Sequence, residues 1–321
     1  PPRAAVVLVP ETAGTPGNIR WLVEESVAYA EFERIIAPKL GAYGPVDFGM
    51  AASMANCSAP SNLALRSGVD VRHAGPHTDL RRAPSIWGYA KKAGYRTMMI
   101  DGQTTGAPQN FLLPPERALI DEVVSAKDGI DTDVEIADRL NRQLRSPDRT
   151  FTYVVLRGVH FQYKDHFPPG MIPADSPEIV QYRTALGYSK GRFFDRLLAG
   201  VDRADVAIAY HSDHGQNLTP GKLPHCSPEA VPAEFQIPLL AFVPGTQRER
   251  LAIAPKGGHS ASQVFPTLLE WMGYDAATVQ RRYDTDLTGA PVRYVRFGRD
   301  AFPLNPGDTA DVTFWPKFPG A

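Results

Sequence analysis

Two adjacent residues with metal-binding side chains, Asp213 and His214, stand at the end of an apolar, strand-like run in the stretch AYHSDHGQNL (209–218). Neighbouring side chains on a regular strand point to opposite faces, so this pair cannot face one ion from within a strand. Gly215 follows and lets the chain turn, which allows both side chains to converge at a strand end. The pair is therefore either half of a metal site or a polar strand end.

Other candidate ligands also follow apolar runs. Glu11 comes directly after residues 4–10, His160 comes shortly after residues 150–157, and His225 lies eleven residues beyond His214. In open α/β sheets, ligands bind beyond the carboxyl ends of the strands. A single polar residue in such a place is usually structural, but several at one sheet edge predict a site. Glu, Asp and His supply the oxygen and nitrogen ligands that suit Zn²⁺ or Mn²⁺.

A candidate nucleophile lies in the stretch NCSAPSNLALRSG (56–68). In a structural interpretation, Ser58 is the N-cap of a helix that has Pro60 in its first turn. In a functional interpretation, its hydroxyl lies in the positive end of the helix dipole, where free N–H groups hold a phosphate or sulfate. A metal bound to this oxygen would lower its pKa and make it a nucleophile.

The elements that must position these residues alternate along the chain. Alternation of strands and helices predicts an α/β fold with a largely parallel sheet between helices. The predicted strands are 4–10, 95–101, 150–157, 205–211 and 237–243. The predicted helices are 19–38, 59–67, 84–93, 131–145, 177–200 and 260–273. From about residue 283 the chain changes character, and we expect a small antiparallel β appendage there.

Length and charge limit the class of protein. The 321 residues suffice for one large α/β core, so we expect a single catalytic domain over 1–321. A net charge of −1 gives no basic field for nucleic acid. No apolar run approaches the roughly 18 residues that span a bilayer. Because the chain opens directly on an apparent core strand, we expect that it was cut from something longer.

The ordered set of motifs resembles the alkaline phosphatase superfamily, and in particular the sulfatase-like phosphoethanolamine transferases that modify bacterial lipid A. Along the chain these motifs are VPET (9–12), Ser58 with Ser61, DG (101–102) through Gly106, GVHFQYKDHFPP (158–169), SDHG (212–215) and His225. The motif DHG alone is weak evidence, whereas six motifs in the family's order are strong evidence. The resemblance covers nearly the whole chain.

The resemblance implies roles for particular residues. It implies a zinc ion, with Mn²⁺ or Mg²⁺ as alternatives, bound by Glu11, Ser58, Asp213 and His214. It implies phosphate binding by Ser61, Asn62, His160 and His225, and catalysis by Ser58, His160 and His225. For His259 a further ligand role and a structural role both stay open.

Two alignments with the superfamily place the nucleophile differently. The sulfatase pattern CxPSRxALLTG overlays SAPSNLALRSG (58–68) without a gap and selects Ser58. The transferases have a cysteine four residues before their threonine nucleophile, and an anchor on Cys57 would select Ser61. We favour Ser58. Asn62 replaces the sulfatase arginine, so we do not expect formylglycine chemistry.

The two cysteines, Cys57 and Cys226, adjoin the expected nucleophile and His225. The resemblance implies a disulfide between them, because the family faces the oxidising periplasm. Two free thiols are the alternative.

The resemblance also implies the function. We expect transfer of phosphoethanolamine, or a related phospho head group, from a phospholipid such as phosphatidylethanolamine to a hydroxyl of lipid A or another glycan. A covalent phospho-serine would be the intermediate, and an N-terminal membrane anchor missing from this chain would hold the domain in the periplasm at the inner membrane. The alternatives are a phosphodiesterase, phosphonate hydrolase or sulfatase of the same superfamily, and a non-catalytic binding or assembly subunit.

Overall fold

The fold was described from a computed structural model, which covers residues 8–69, 84–103, 112–283 and 285–289, together with the backbone of 294–297 and 300–303. Eight strands form one mixed sheet in the order β4-β3-β5-β1-β6-β7-β2-β8. Their bounds are β1 Asn18–Glu24, β2 Val46–Ala52, β3 Arg96–Asp101, β4 Glu122–Ser125, β5 Thr150–Val155, β6 Val206–Ser212, β7 Gln236–Phe242 and β8 His259–Ser260.

The helices cover both faces of this sheet. Their bounds are α1 Tyr29–Ile35, α2 Ser58–Ser67, α3 Ile86–Lys92, α4 Pro114–Arg117, α5 Thr132–Leu144, α6 Glu178–Leu198, α7 Gly245–Leu251, α8 Val264–Trp271 and α9 Ala276–Arg282. The α/β class is therefore confirmed. The predicted strands at 95–101, 150–157, 205–211 and 237–243 correspond to β3, β5, β6 and β7.

The centre of the sheet is strand β1, which pairs in parallel with β5 on one side and with β6 on the other. Glu24, at the end of β1, is in register with Ser212 at the end of β6. Because carboxyl ends of parallel strands meet at one edge, the chain segments that follow β1, β5 and β6 lie side by side. Strand β7 runs antiparallel to both of its neighbours, β6 and β2.

Two apolar cores pack against the two faces of the sheet. Along β1, Trp21 and Val23 belong to one core and Leu22 belongs to the other, as the two-residue period of a strand requires. The first core contains side chains of α2, α3 and α8, and the second contains side chains of α1, α5 and α6. The sheet is thus buried on both faces, which explains the continuous apolar runs of its strands.

The helix predicted over 19–38 is wrong in its first part, which forms β1, and α1 occupies only Tyr29–Ile35. The misleading residue is Arg20, a charged side chain in the middle of a strand. Its guanidinium is buried and donates to the carbonyl oxygen and hydroxyl of Thr150 and to Asn18 Oδ1. These partners, on the same strand and on the neighbouring strand β5, let a cation occupy a central strand.

The strand predicted over 4–10 is not observed where the structure describes it, since residues 8–10 are not strand and residues 1–7 lie outside the described residues. The segment that follows runs past the amino ends of the strands. Thr15 accepts a hydrogen bond from Arg149, which precedes β5, and the backbone N–H of Gly17 donates to Asp205, which precedes β6. Glu11 belongs to this segment.

Two short strands, β9 (Tyr294–Phe297) and β10 (Asp300–Pro303), form an antiparallel pair. The antiparallel appendage predicted after residue 283 is therefore confirmed in the described residues. Among the helices of the described ranges, none is both long and apolar enough to cross a membrane.

Candidate active site

Glu25 stands where strand β1 ends, and it lies at the centre of a buried polar cluster. Its Oε1 atom is 3.1 Å from His214 Nε2, and its Oε2 atom accepts a hydrogen bond of 2.8 Å from Ser58 Oγ. Glu25 therefore occupies the place that the sequence predicted for Glu11. Glu11 is exposed and pairs through its backbone N–H with the carbonyl oxygen of Gly273. Its segment runs past the amino ends of the strands, whereas the cluster lies beyond their carboxyl ends. Glu11 as a metal ligand is therefore a wrong prediction.

Asp213 and His214 converge as their position at a strand end predicted. The His214 ring lies with Nδ1 2.8 Å from the carbonyl oxygen of Gly215, which makes Nδ1 the protonated nitrogen. His214 Nε2 faces Glu25 Oε1 at 3.1 Å and Ser58 Oγ at 3.2 Å. Asp213 Oδ1 accepts from the backbone N–H groups of His214 and Ser26, at 2.8 and 3.3 Å. Its Oδ2 atom is buried without a hydrogen-bond partner in the described part of the chain.

Ser58 begins helix α2, one position after its N-cap residue Cys57. Its hydroxyl lies 2.8 Å from Glu25 Oε2 and 3.2 Å from His214 Nε2. The first N–H groups of a helix have no partner within the helix and carry its positive dipole end. The hydroxyl therefore meets the carboxylate and imidazole at a position suited to an anionic phosphoryl group.

Ser61 and Asn62, the two residues predicted to bind phosphate beside Ser58, point elsewhere. Ser61 Oγ accepts from the N–H of Ala55 at 3.0 Å and donates to the carbonyl oxygen of the same residue at 3.2 Å. The Asn62 amide donates to the Ser58 carbonyl oxygen and accepts from the hydroxyl of Tyr153. Both side chains are fully buried and engaged in holding the start of the helix. Phosphate binding by them stays a prediction without support from this geometry.

His160 and His225 form the solvent-facing side of the cluster. The ring centroid of His225 lies 4.5 Å from that of His214 and 4.9 Å from that of His160. His160 is exposed and His225 is partly buried. His225 Nδ1 lies 3.0 Å from Gln216 Oε1, an oxygen that accepts only, so Nδ1 carries the proton and Nε2 is free.

A disulfide joins Cys57 to Cys226, with 4.9 Å between their Cα atoms. The predicted pairing is therefore present. Cys226 also donates its backbone N–H to the carbonyl oxygen of Asn56. Because Cys57 precedes Ser58 and Cys226 follows His225, the bridge fixes the helix start against the histidine loop.

The cluster has the composition and the charge of a cation site. Ligand atoms of Glu25, Asp213 and His214 lie within 4.8 Å of one another, and so do ligand atoms of Glu25, His160 and His225. Burial raises the pKa of Asp213 to about 7, and the nearby Glu25 carboxylate adds to that rise. Burial opposes protonation of His214, yet the two carboxylates raise its pKa to about 9. Positive charge is thus favoured here, and the unpartnered Asp213 oxygen fits a metal ligand.

Three residues of the cluster were missed by sequence reasoning. Glu25 was assigned to the predicted helix, although it follows an apolar run as the other candidates do. Gln103 follows β3, and its amide donates to Glu25 Oε2 at 3.1 Å. Gln216, next to Gly215, contacts His225 Nδ1 through its side-chain oxygen at 3.0 Å. Their shared signal is a polar residue just beyond a strand of the parallel sheet.

His259 has a structural position. It lies in strand β8, with Nδ1 3.1 Å from Gln263 Oε1 and Nε2 2.7 Å from the carbonyl oxygen of Pro255. Both ring nitrogens therefore have partners within the fold, and this histidine stands outside both ligand groups of the described residues. Of its two open roles, the structural one agrees with these contacts.

A mixed sheet with a helix-start hydroxyl and Asp-His at its carboxyl edge defines the alkaline phosphatase-like α/β class. The family model described as Sulfatase matches residues 5–274, and the chain belongs to this family. A comparison of the sequence with curated proteins finds no match.

Solved structures share the fold at low sequence identity. The C-terminal periplasmic domain of EcEptC from Escherichia coli, in complex with Zn, has a TM-score of 0.76 and 15% identity, over 95% of this chain and 98% of that one. The soluble domain of lipooligosaccharide phosphoethanolamine transferase A from Neisseria meningitidis has a TM-score of 0.64 and 18% identity, over 84% and 92%. The integral membrane form of the Neisseria protein has a TM-score of 0.64 and 16% identity, over 84% of this chain but 57% of that one.

Proposed function

We propose that this chain is the catalytic domain of a metal-dependent transferase that moves phosphoethanolamine, or a related phospho head group, from a phospholipid to a hydroxyl of a glycan or lipid. The observation that carries the proposal is the position of Ser58 Oγ, 2.8 Å from Glu25 Oε2 and 3.2 Å from His214 Nε2, at the start of a helix. A hydroxyl so placed can be deprotonated, and the phosphoryl group it attacks meets free backbone N–H groups.

The donor set Glu25, Asp213, His214 and Ser58 supplies three oxygens and one nitrogen, which suits Zn²⁺, with Mn²⁺ or Mg²⁺ as alternatives. Such an ion supplies Lewis acidity that lowers the pKa of the serine hydroxyl and neutralises charge on the phosphoryl oxygens. The protein's part is to hold these four side chains in a buried, rigid arrangement. Gln103 and the Gly215 carbonyl oxygen orient Glu25 and His214 for this task.

In the first half-reaction, the Ser58 hydroxyl loses its proton to solvent and its oxygen forms a bond to phosphorus. The bond from phosphorus to the diacylglycerol oxygen breaks. The leaving oxygen takes a proton, for which the exposed His160 is the donor, since His225 Nε2 is unprotonated. The product is a phosphodiester of Ser58 that keeps the ethanolamine. The free Nε2 of His225 lies on the solvent-facing side, where an incoming group must approach.

In the second half-reaction, the acceptor hydroxyl gives its proton to the same histidine pair and its oxygen bonds to phosphorus. The bond from phosphorus to Ser58 then breaks, and the serine recovers its proton. General acid–base help of this kind is commonly worth 10²- to 10⁴-fold in rate. The unprotonated Nε2 of His225 can accept the proton of the acceptor hydroxyl, and the His160 ring lies beside it.

The substrates follow from the similar proteins. The lipooligosaccharide phosphoethanolamine transferase that shares this fold supports phosphoethanolamine as the transferred group and a glycolipid as the acceptor. Phosphatidylethanolamine as the donor, and lipid A or another glycan as the acceptor, are part of the proposal. The integral membrane relative, of which this chain spans 57%, supports a membrane-anchored protein, and the periplasmic domain from Escherichia coli supports a catalytic domain that faces the periplasm. Membrane contact would then come from a region N-terminal to this segment.

The test is to trap the covalent intermediate. The purified domain, loaded with zinc, is incubated with a fluorescent phosphatidylethanolamine or a nitrophenyl phosphodiester, and the adduct is mapped by mass spectrometry. We expect the adduct on Ser58, no adduct in Ser58→Ala, and a retained adduct in Ser58→Thr, which keeps a hydroxyl. Loss of a covalent nucleophile commonly costs orders of magnitude in rate.

Ser61→Ala is the matched control, because it removes a hydroxyl three residues away that bonds to the backbone N–H and carbonyl oxygen of Ala55. We expect it to lower the rate by roughly ten- to a hundredfold while the adduct on Ser58 persists. An adduct on Ser61, or on no serine, would overturn the proposal. An adduct on Ser58 released to water in the presence of acceptor lipid would identify a hydrolase instead.

A further inference from the structure

A buried lysine, Lys190 of helix α6, lies beneath the active site and takes no part in the chemistry proposed above. Its side chain is fully buried, and its ammonium group lies 2.9 Å from Glu24 Oε2 and 2.5 Å from Asp133 Oδ2. Glu24 and Asp133 are also buried, at 0% and 3% exposure of their side chains. One cation therefore joins two carboxylates from separate parts of the chain, the end of β1 and the first turn of α5.

The first carboxylate leads directly to Glu25. Glu24 precedes Glu25 in the chain, and its carbonyl oxygen accepts the backbone N–H of Asp213 at 2.9 Å. Its Oε1 atom accepts a hydrogen bond from the hydroxyl of Tyr210 on β6. Lys190 thus holds the residue whose backbone links the two carboxylates of the candidate metal site.

The second carboxylate leads to His160. Asp133 accepts the backbone N–H groups of Arg157 and Gly158, at 2.7 and 3.0 Å, in the loop between β5 and His160. Gly158 has a φ of +63°, and a Cβ atom added there would lie 2.2 Å from the Glu25 carbonyl oxygen. Lys190 therefore contacts Glu24, the neighbour of Glu25, and Asp133, which binds the backbone of Gly158. Gly158 in turn packs against Glu25.

We propose that Lys190 is a positioning residue, which sets the backbone of Glu25 and of the His160 loop through Glu24 and Asp133. A buried ion cluster is a poor source of stability, because desolvation opposes the Coulombic attraction and apolar side chains of the same size pack as well or better. What the cluster supplies is a fixed geometry, from the charge-assisted hydrogen bond that Lys190 donates to Asp133 and from its ion pair with Glu24. The inference rests on the proposed function, since Glu25 and His160 matter as ligand and phosphate-binding residues.

The test combines zinc affinity, kinetics and thermal unfolding of the purified domain. Lys190→Met leaves two buried carboxylates without a cation, and folding is at risk. The double variant Lys190→Met/Glu24→Gln reduces this risk, because it removes one charge of each sign and leaves the formal charge of the cluster unchanged. Only Asp133 then lacks its cation, and it keeps the backbone N–H groups of Arg157 and Gly158. We expect it to fold, to bind zinc at least about tenfold more weakly in competition with a fluorescent chelator, and to lose kcat about tenfold or more on a nitrophenyl phosphodiester.

Two further variants separate positioning from general stability. Arg20→Met removes a different buried cation, which lies on β1 four residues before Glu24. This variant should have a lower melting temperature but an unchanged zinc affinity in the folded protein. Lys190→Arg keeps the cation and should retain zinc affinity within about threefold of the parent.

The outcomes are distinguishable. A folded double variant with zinc affinity and kcat within twofold of the parent overturns the inference alone. The same holds if Arg20→Met weakens zinc binding equally, or if the double variant fails to fold, since the cluster would then serve the fold itself. A parent domain that neither binds zinc nor turns over the phosphodiester overturns the proposed function and this inference with it.

Discussion

The Nδ1 atom of His225 lies 3.0 Å from the Oε1 atom of Gln216, and the amide nitrogen of Gln216 donates in turn to the hydroxyl of Tyr163 at 2.8 Å. Gln216 is buried, so this chain of hydrogen bonds is held within the protein. It leaves Nε2 of His225 unprotonated and directed away from Gln216. The orientation of a reactive imidazole is thereby fixed by a neutral amide.

We expect Gln216→Leu to lower the rate of head-group transfer by roughly 10- to 100-fold, because His225 loses the partner that sets its tautomer and ring orientation. Gln216→Glu keeps an acceptor and should retain most of the rate. The measurement is kcat on a nitrophenyl phosphodiester with the zinc content of each variant recorded. An unchanged rate in Gln216→Leu would contradict the assigned orientation.

Zinc content should distinguish Glu25 from Glu11. We expect Glu25→Gln, Asp213→Asn and His214→Ala each to deplete zinc from the purified domain, because each removes a ligand atom or its charge from the buried cluster. Glu11→Gln is the matched control and should keep the parent's zinc content, since this exposed carboxylate lies in a segment at the other edge of the sheet. Elemental analysis measures the zinc content of these variants and of the control. Full zinc occupancy in Glu25→Gln would show that Glu25 is not a ligand.

The disulfide should stabilise the fold and the site together. It joins cysteines 169 residues apart, so its removal frees a long loop in the unfolded chain. We expect Cys57→Ala/Cys226→Ala to lower the free energy of unfolding by roughly 2–5 kcal/mol. Denaturant unfolding with and without a reductant measures this change. The reductant should leave the free energy of unfolding of the double variant unchanged. If the reductant also leaves that of the parent unchanged, the result argues against the bridge.

A methyl group at Gly158 should disturb the site. We expect Gly158→Ala to lower stability and zinc affinity, because its Cβ would lie 2.2 Å from the Glu25 carbonyl oxygen in a backbone conformation with φ of +63°. Gly170→Ala is the matched control, since Gly170 has a φ of +87° and no heavy atom within 4 Å of an added Cβ. Thermal unfolding should show a lower melting temperature in both variants, because both positions have a positive φ. Zinc titration should show a weaker affinity only in Gly158→Ala.

The pH dependence of stability should contain a contribution from Glu270. Burial, followed by its contact with Asp286, raises the pKa of this carboxyl from 4.5 to about 7 in the folded protein. The folded state then binds the proton more tightly than the unfolded state. The protonated Glu270 therefore adds to the free energy of unfolding below about pH 4.5, and this addition is lost as pH rises through about 7.

Glu270→Gln should flatten this part of the plot of unfolding free energy against pH. Relative to the parent, the variant should gain about 1–3 kcal/mol more in free energy of unfolding at pH 8 than at pH 5. Denaturant unfolding at several pH values measures the slope. The exposed residue Glu249 serves as the control, and Glu249→Gln should leave the profile as in the parent. A Glu270→Gln profile parallel to that of the parent would refute the contribution.

The sequence by itself determined the class of fold and much of the candidate site. Strands β3, β5, β6 and β7 are continuous apolar runs, and a parallel sheet buried on both faces requires such runs. Once they are placed, their carboxyl ends bring Asp213 and His214 to one edge, with the helix start at Ser58 and the disulfide partners nearby. The position of Asp213 and His214 depends on local patterns and on one general rule of α/β sheets. The choice of Ser58 and the pairing of the two cysteines depend on the resemblance to the transferase family.

Only the tertiary structure decided which glutamate joins Ser58 and His214. Strand β1 contains Arg20, and a charge in the middle of a strand hides the strand pattern from a local view. Two nitrogens of that guanidinium donate to Thr150 of the neighbouring strand β5, which lies 130 residues away in the chain. The contacts of Gln103 with Glu25 and of Lys190 with Glu24 are equally remote. Such partners exist because the sheet order places distant segments side by side, and no short stretch of sequence contains that order.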